Sequence, residues 1–238
     1  HETEVVDQGQ TGTCWIQAGL SFLSALAHRR GLNIRFSATH LIYHDKIGKA
    51  HAFLVKFRQL LLDEHTESRD RKRWHFLDCP VTDGGTWGMF LHLIRKHGLV
   101  PHDARLPMRQ GTETSQLNRY INDYLRACAL RLEDLSSQGI DEAQAEYLVT
   151  QAMLTIDNAV KRSYGPSTTE CTLTKAAHGQ NFYGTPLDVL NLLRKKWSYQ
   201  VLAHAPGRAG ALYVGPATND PETLSQDFFT VVDISVLV

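Results

Sequence analysis

At 238 residues the chain is long enough to bury a core without covalent staples. Its 42% hydrophobic and 21% charged content is ordinary for a soluble globular protein. Acidic and basic side chains balance at 25 each, so no net field draws in nucleic acid or an anionic membrane. The basic run Arg69-Asp70-Arg71-Lys72-Arg73-Trp74 reads as a solvated loop or helix face rather than a nucleic-acid contact.

The cysteines Cys14, Cys79, Cys128 and Cys171 form no C-x-x-C pair and lack metal-ligand spacing. Scattered in this way they suit a reducing compartment better than a disulfide framework. No apolar run reaches the ~18 residues of a membrane span. The opening His1-Glu2-Thr3-Glu4 has no basic region and no methionine. No secretory signal is expected there, and the chain is expected to begin inside a longer gene product.

The first nine residues read as extended, ending in the polar loop Asp7–Thr13. Helical periodicity then runs to Arg30, with Trp15, Ala18 or Gly19, Phe22, Leu23 and Leu26 on one face and Gly31 as the stop. Cys14 falls in the first turn. A second helix is predicted from Ser37, a candidate N-cap, to Leu62, with apolar points at Leu41, Ile42, Phe53, Phe57 and Leu60. The charged stretch 63–73 is expected to be a loop. Asp83-Gly84-Gly85 is a turn, followed by a short helix from Thr86 to His97 that Gly98 ends.

Residues 113–133 and 141–163 predict two more helices, and 164–184 an irregular stretch. Thr185-Pro186 opens a helix to Lys196, with proline at an early helical position. Three β-like runs follow, 199–203, 211–214 and 228–238; the last ends on Val236-Leu237-Val238 as if cut.

Cys14 is where a nucleophile would be placed. A thiol attacks a carbonyl as thiolate, and a helix N-terminus or a protonated imidazole favours that form. A tetrahedral intermediate also needs donors aimed at its oxyanion. The Cys14 N–H is one candidate, and the side-chain amide of Gln8, six residues upstream, is the other. A buried structural cysteine is the competing interpretation of the same position.

Gln8-Gly9-Gln10-Thr11-Gly12-Thr13-Cys14-Trp15 resembles the papain-type motif Q-x-x-x-G-x-C-W. Asp83-Gly84-Gly85-Thr86-Trp87-Gly88-Met89, continuing through His97-Gly98-Leu99-Val100-Pro101, is similar to the D-G-G-x-W-x-M…Y-G-L-V-P block of the bleomycin hydrolase and aminopeptidase C family. Thr185-Pro186-Leu187-Asp188-Val189-Leu190 and Asn219-Asp220-Pro221 resemble later family segments. Two positions depart from the pattern: Gln17 stands for a bulky apolar residue and Glu222 for an arginine.

The resemblance implies an α+β, papain-like fold. A helical lobe would occupy residues 1–111, a helical insertion 112–180, and the incomplete start of the β lobe 181–238. It implies a cysteine peptidase trimming peptides from the N-terminus, with Cys14 as nucleophile and Gln8 in the oxyanion hole. Gly84 and Gly85 would lie along the substrate backbone, because a residue without a side chain allows close approach. Trp15 is counted with them, packing being its alternative role. A cytoplasmic homohexamer with peptide substrates and no metal or organic cofactor is implied.

The resemblance also places the catalytic histidine and its orienting asparagine after the cysteine, and here beyond Val238, in a second segment. Within the chain, His178 and His204, the latter with Asn219, are the later imidazoles that could be weighed as a base. His40 and His44 have the i, i+4 spacing of a zinc pair but no third ligand in view. A catalytically inactive papain-like domain with an assembly role is the alternative function.

Overall fold

The computed structural model describes residues 8–9, 11–29, 31–62, 66–104, 114–139, 142–173, 182–194, 202–203, 212–214 and 228–231. Helix α1 (Cys14–Arg29) leads into α2 (Ala38–Leu61), α3 (Thr66–Asp78) and α4 (Trp87–His97). A 3-10 turn (His102–Ala104) follows, then the long pair α5 (Ser115–Ser137) and α6 (Glu142–Tyr164). The hairpin strands β1 (Cys171–Leu173) and β2 (Phe182–Gly184) precede α7 (Pro186–Arg194). Strands β3 (Leu202–Ala203), β4 (Leu212–Val214) and β5 (Phe228–Val231) close the described chain.

Helix α2 is the axis of the helical part. It packs against α1, α3, α4, α5 and α6, and one continuous apolar cluster runs through all of these except α3 and extends to α7. The five apolar points expected on α2 are all buried. Fully burying a side chain such as Phe57 stabilises by about 1.5–3 kcal/mol. Helices α5 and α6 each lay one apolar stripe on α2: Ile121, Leu125 and Leu132 from α5, Ile156 and Val160 from α6.

The buried stripe of α1 is Ile16, Leu20, Leu23 and Ala27, one position round from the expected face. Phe22 is left 41% exposed, and Trp15 and Leu26 are half-buried. Gly19 explains the rotation: a β-carbon there would lie 2.5 Å from the Phe90 ring of α4, so α1 turns its smallest residue to that contact.

The charged stretch expected to be a loop is helical from Thr66. Its charges are answered from other elements, which the local sequence does not reveal. Arg73 grips Glu133 of α5 through Nε and Nη2, and Arg126 of α5 donates to the carbonyls of Leu77 (2.7 Å) and Asp78 (2.6 Å). Those carbonyls belong to the last turn, where helical acceptors lack intrahelical partners. Phe76 meets Phe53 of α2 edge-on at 6.4 Å.

Thr86 caps α4, its hydroxyl accepting from the Met89 N–H at 3.3 Å. Gly98 ends α4 with φ 73°, and a β-carbon there would strike the Pro186 backbone at 2.2 Å, so both conformation and space require glycine. The expected N-cap, Ser37, stands at its position but makes no side-chain cap; its N–H donates to the Val100 carbonyl instead.

The stretch expected to be irregular contains the antiparallel β1–β2 hairpin, with Cys171 opposite Gly184 and Leu173 opposite Phe182. The last three strands form a sheet in the order β3-β5-β4, β3 parallel and β4 antiparallel to β5. The β-like runs therefore pair as strands in part; the rest of those runs lies outside the described residues. Among the described residues no helix is long and apolar enough to cross a membrane.

Candidate active site

Cys14 is the first residue of α1, and its side chain is exposed. At that position its N–H has no intrahelical acceptor. The Thr13 carbonyl receives the first helical bonds, from Ile16 (3.0 Å) and Gln17 (3.1 Å). The preceding loop is knit by its own polar atoms. The Gln8 Nε2 donates to the Thr11 carbonyl at 2.9 Å, and the Thr11 hydroxyl donates to the Gln8 carbonyl at 2.8 Å. Thr11 and Thr13, both buried, join hydroxyls at 2.8 Å. The Gln8 side chain is thus folded into the loop. An amide nitrogen carries two hydrogens, so the bond to Thr11 leaves a second donor.

Trp15 turns away from the α1 core to meet the Asp83-Gly84-Gly85 segment. Its Nε1 donates to the Asp83 carbonyl at 2.7 Å. Its ring lies against Gly85, where a β-carbon would fall 2.4 Å from the indole; any other residue would push the strip off the tryptophan. The Lys49 ammonium sits 5.3 Å from the ring centre. The same ammonium accepts no proton donors but gives three bonds, to Asp45 (2.8 Å), the Thr82 carbonyl (2.9 Å) and the Gly84 carbonyl (2.7 Å). Trp15, Gly84 and Gly85 are therefore brought together, and Cys14 immediately precedes Trp15 in the chain.

Beneath them lie charges. Lys46 is fully buried and paired with Asp83. The Asp83 carboxylate also accepts from Thr114 Oγ1 and, at 2.9 Å, from Asn118 Nδ2. Burial works to raise the Asp83 pKa, but the Lys46 charge and hydrogen bond, with Thr114 and Asn118, outweigh it and hold the carboxyl at about 2. Burial pushes Asp45 up and Lys49 down, their mutual attraction opposing both shifts.

From the sequence Asp83 reads as a turn residue, and Asp45, Lys46 and Lys49 belong to no motif. A signal existed: Asp45 and Lys49 have the i, i+4 spacing of a helical ion pair amid apolar points.

A cavity of about 600 Å³ opens between α2, α3 and α4 and touches Gly84, Gly85, Thr86 and Met89; Cys14 does not line it. It adjoins the glycine strip without containing the sulfur. His40 and His44 meet edge-on at 4.8 Å, His44 stacks on His97 at 3.7 Å, and the His97 carbonyl meets His40 Nε2 at 2.9 Å. Among the described residues no group of three or more histidine, cysteine or acidic side chains gathers as metal ligands. His178, His204 and Asn219 lie outside the described residues.

Comparison with known proteins identifies the lineage. The profile of the Peptidase C1-like family matches residues 1–175. A protein named aminopeptidase C from Streptococcus thermophilus is 29% identical over 164 residues, covering 68% of this chain and 36% of its own. Aminopeptidase C from Lactococcus lactis is 28% identical over 191 residues, covering 79% and 42%. Human bleomycin hydrolase is 29% identical over 145 residues, covering 59% and 31%. The chain thus spans well under half the length of these relatives.

The crystal structure of PepW from Lactobacillus rhamnosis superposes on 98% of this chain and 54% of its own, with a TM-score of 0.77 and 21% identity. The α+β, papain-like fold expected from the motifs is the fold found. The chain belongs to the Peptidase C1-like family.

Proposed function

We propose that this chain carries the nucleophile and oxyanion half of a cysteine aminopeptidase. The observation that carries the proposal is an exposed thiol at the first residue of a buried helix, with a glycine strip braced against the very next residue, Trp15. Cys14 Sγ attacks the scissile carbonyl as thiolate, which the positive end of α1 favours. The Cys14 N–H and the second Gln8 amide hydrogen then donate to the oxyanion.

Lys49 occupies the Gly84 carbonyl, so pairing with the substrate backbone falls to Gly85. Trp15 supports that strip from below rather than gripping the peptide itself. The proton acceptor for the thiol and donor for the leaving amine is an imidazole, oriented by an asparagine, on a segment outside this chain.

The relatives' names, aminopeptidase C and bleomycin hydrolase, support peptide substrates trimmed from the N-terminus. The same reading takes the division at residues 112–180 as an inserted helical unit and the whole protein as a cytoplasmic homohexamer.

Alkylation tests the reading. Iodoacetamide is applied across a pH series and modification is read peptide by peptide. Burial pushes the Cys128 and Cys171 thiols up, so these two serve as slow internal references. With the imidazole segment present, Cys14 is expected to be modified faster than Cys79, the other exposed thiol. In the whole protein, Cys14 reacting no faster than Cys79 would overturn the peptidase and favour an inactive papain-like assembly domain.

A further inference from the structure

Two links run from the Asp83 region to the nucleophile loop, and they land on either side of Cys14. The Asp83 carbonyl accepts from the Trp15 indole at 2.7 Å. The carboxylate reaches the Gly12 N–H through a longer 3.4 Å contact. Packing repeats the pattern. A β-carbon on Gly12 would lie 2.7 Å from the Asp83 β-carbon, as one on Gly85 would lie 2.4 Å from the Trp15 ring. Residues 12 and 15 are thus both pressed against a segment about seventy positions away.

We propose that Asp83 is a positioning residue for Cys14, fixing the thiol-bearing loop against the Gly84–Gly85 strip. The carboxylate is held at Oδ1 by Lys46 of α2 and Asn118 of α5, and at Oδ2, the oxygen facing Gly12, by Thr114 from the segment before α5. With its orientation set by three donors, it has little freedom left when Gly12 arrives. Lys46, fully buried, lets the charge stay ionised away from water.

A residue serving the core alone has no reason to place its carboxylate at Gly12, two before the nucleophile, and its backbone carbonyl at Trp15, one after it. Misplacing a reacting group by about 1 Å costs roughly a hundredfold in rate, so a brace at these positions bears on catalysis. The catalytic consequence rests on the peptidase reading; the brace itself does not.

The test uses the full chain and two variants. Asp83→Asn combined with Lys46→Met removes the charge pair without stranding either partner. Trp15→Phe removes the bond to the Asp83 carbonyl and trims the ring against Gly85 while leaving the carboxylate and Lys46 intact, and it keeps the test alive if the double variant does not fold. Hydrogen exchange of the amides at 11–16 reads the brace, and peptide-resolved alkylation of Cys14 across pH reads the thiol.

For each folded variant, exchange at 11–16 is expected to speed up by about tenfold or more, the equivalent of losing one to two hydrogen bonds. The Cys14 pH profile is expected to shift, while Cys79, exposed and outside this contact, reacts within about twofold of its original rate. Folded variants with unchanged loop exchange and an unchanged Cys14 profile overturn the positioning role. A wild-type Cys14 no more reactive than Cys79 in the whole protein overturns the peptidase reading instead, and the exchange result then decides the brace alone.

Discussion

The two halves of α2 share one apolar stripe but differ in the polar groups they bury. Its first half, through Lys49, buries Asp45 and Lys46 beside Leu41, Ile42 and Tyr43, and its lysines reach the Asp83–Gly84 segment. Its second half buries Phe53, Leu54, Phe57 and Leu60 against the apolar core shared with α5 and α6. Hydrocarbon contact is non-directional and tolerates small slips, whereas each polar contact holds a distance and an angle. The helix thus spends its directional groups where a thiol and a peptide-binding strip must be placed, and its non-directional ones where stability alone is needed.

Two truncations should break this comparison most visibly. Lys46→Ala leaves Asp83 charged and unpaired and is expected to cost about 3–5 kcal/mol. Phe57→Ala opens a cavity in the other half and is expected to cost a similar ~3–5 kcal/mol. Denaturant titration measures both. The reactivity of Cys14 should separate them: its alkylation profile is expected to change in the Lys46 variant and to stay unchanged in the Phe57 variant. Equal profiles would mean that the two halves are not specialised.

This division also explains what was legible in the sequence. The apolar points on α2, the head of α1 at Cys14 and the glycine stop of α4 follow from periodicity and local backbone rules, which depend on near neighbours. The motif spacing at 8–15 and 83–101 carried the fold. The brace was not legible because each of its bonds spans tens of residues: Asp83 joins Gly12, Lys46, Thr114 and Asn118. Helix α3 escapes local reading for the same reason, since the partner of Arg73 lies on α5. The rotated face of α1 was hidden by Gly19, whose role depends on Phe90 arriving from another helix.

Acid should act on the first half of α2 before the second. The Asp83 pKa is depressed from 3.8 to about 2, so its contribution is fully present above pH ~4. That contribution falls as pH drops through about 2, and is worth about 2 kcal/mol in total. Unfolding midpoints in urea measured from pH 5 to pH 2 should show this loss. The Asp83→Asn and Lys46→Met double variant should show a flatter profile. A slope that persists there would assign the acid sensitivity to other carboxyls.

A smaller effect is expected at the start of α4, which holds the strip from its far end. Thr86→Ala removes the side-chain acceptor for the Met89 N–H and should cost about 1 kcal/mol. Thr86→Ser keeps that acceptor and should recover most of the loss in the same denaturant titration.

The smallest effect sharpens the account of α3. Arg73 and Glu133 form a two-pronged pair with side chains 27% and 23% exposed, so water screens part of their attraction. The hydrogen bond to Glu133 raises the Arg73 pKa further above its ordinary value, so the guanidinium stays charged. A double-mutant cycle with Arg73→Ala and Glu133→Ala should give a coupling of about 0.5–1 kcal/mol. A coupling of that size would show that α5 holds this charge run in place through a specific ion pair. A coupling near zero would leave Phe76 and Leu77, packed on the core, as what keeps the segment helical, and α3 would then obey the non-directional rule of the second half of α2.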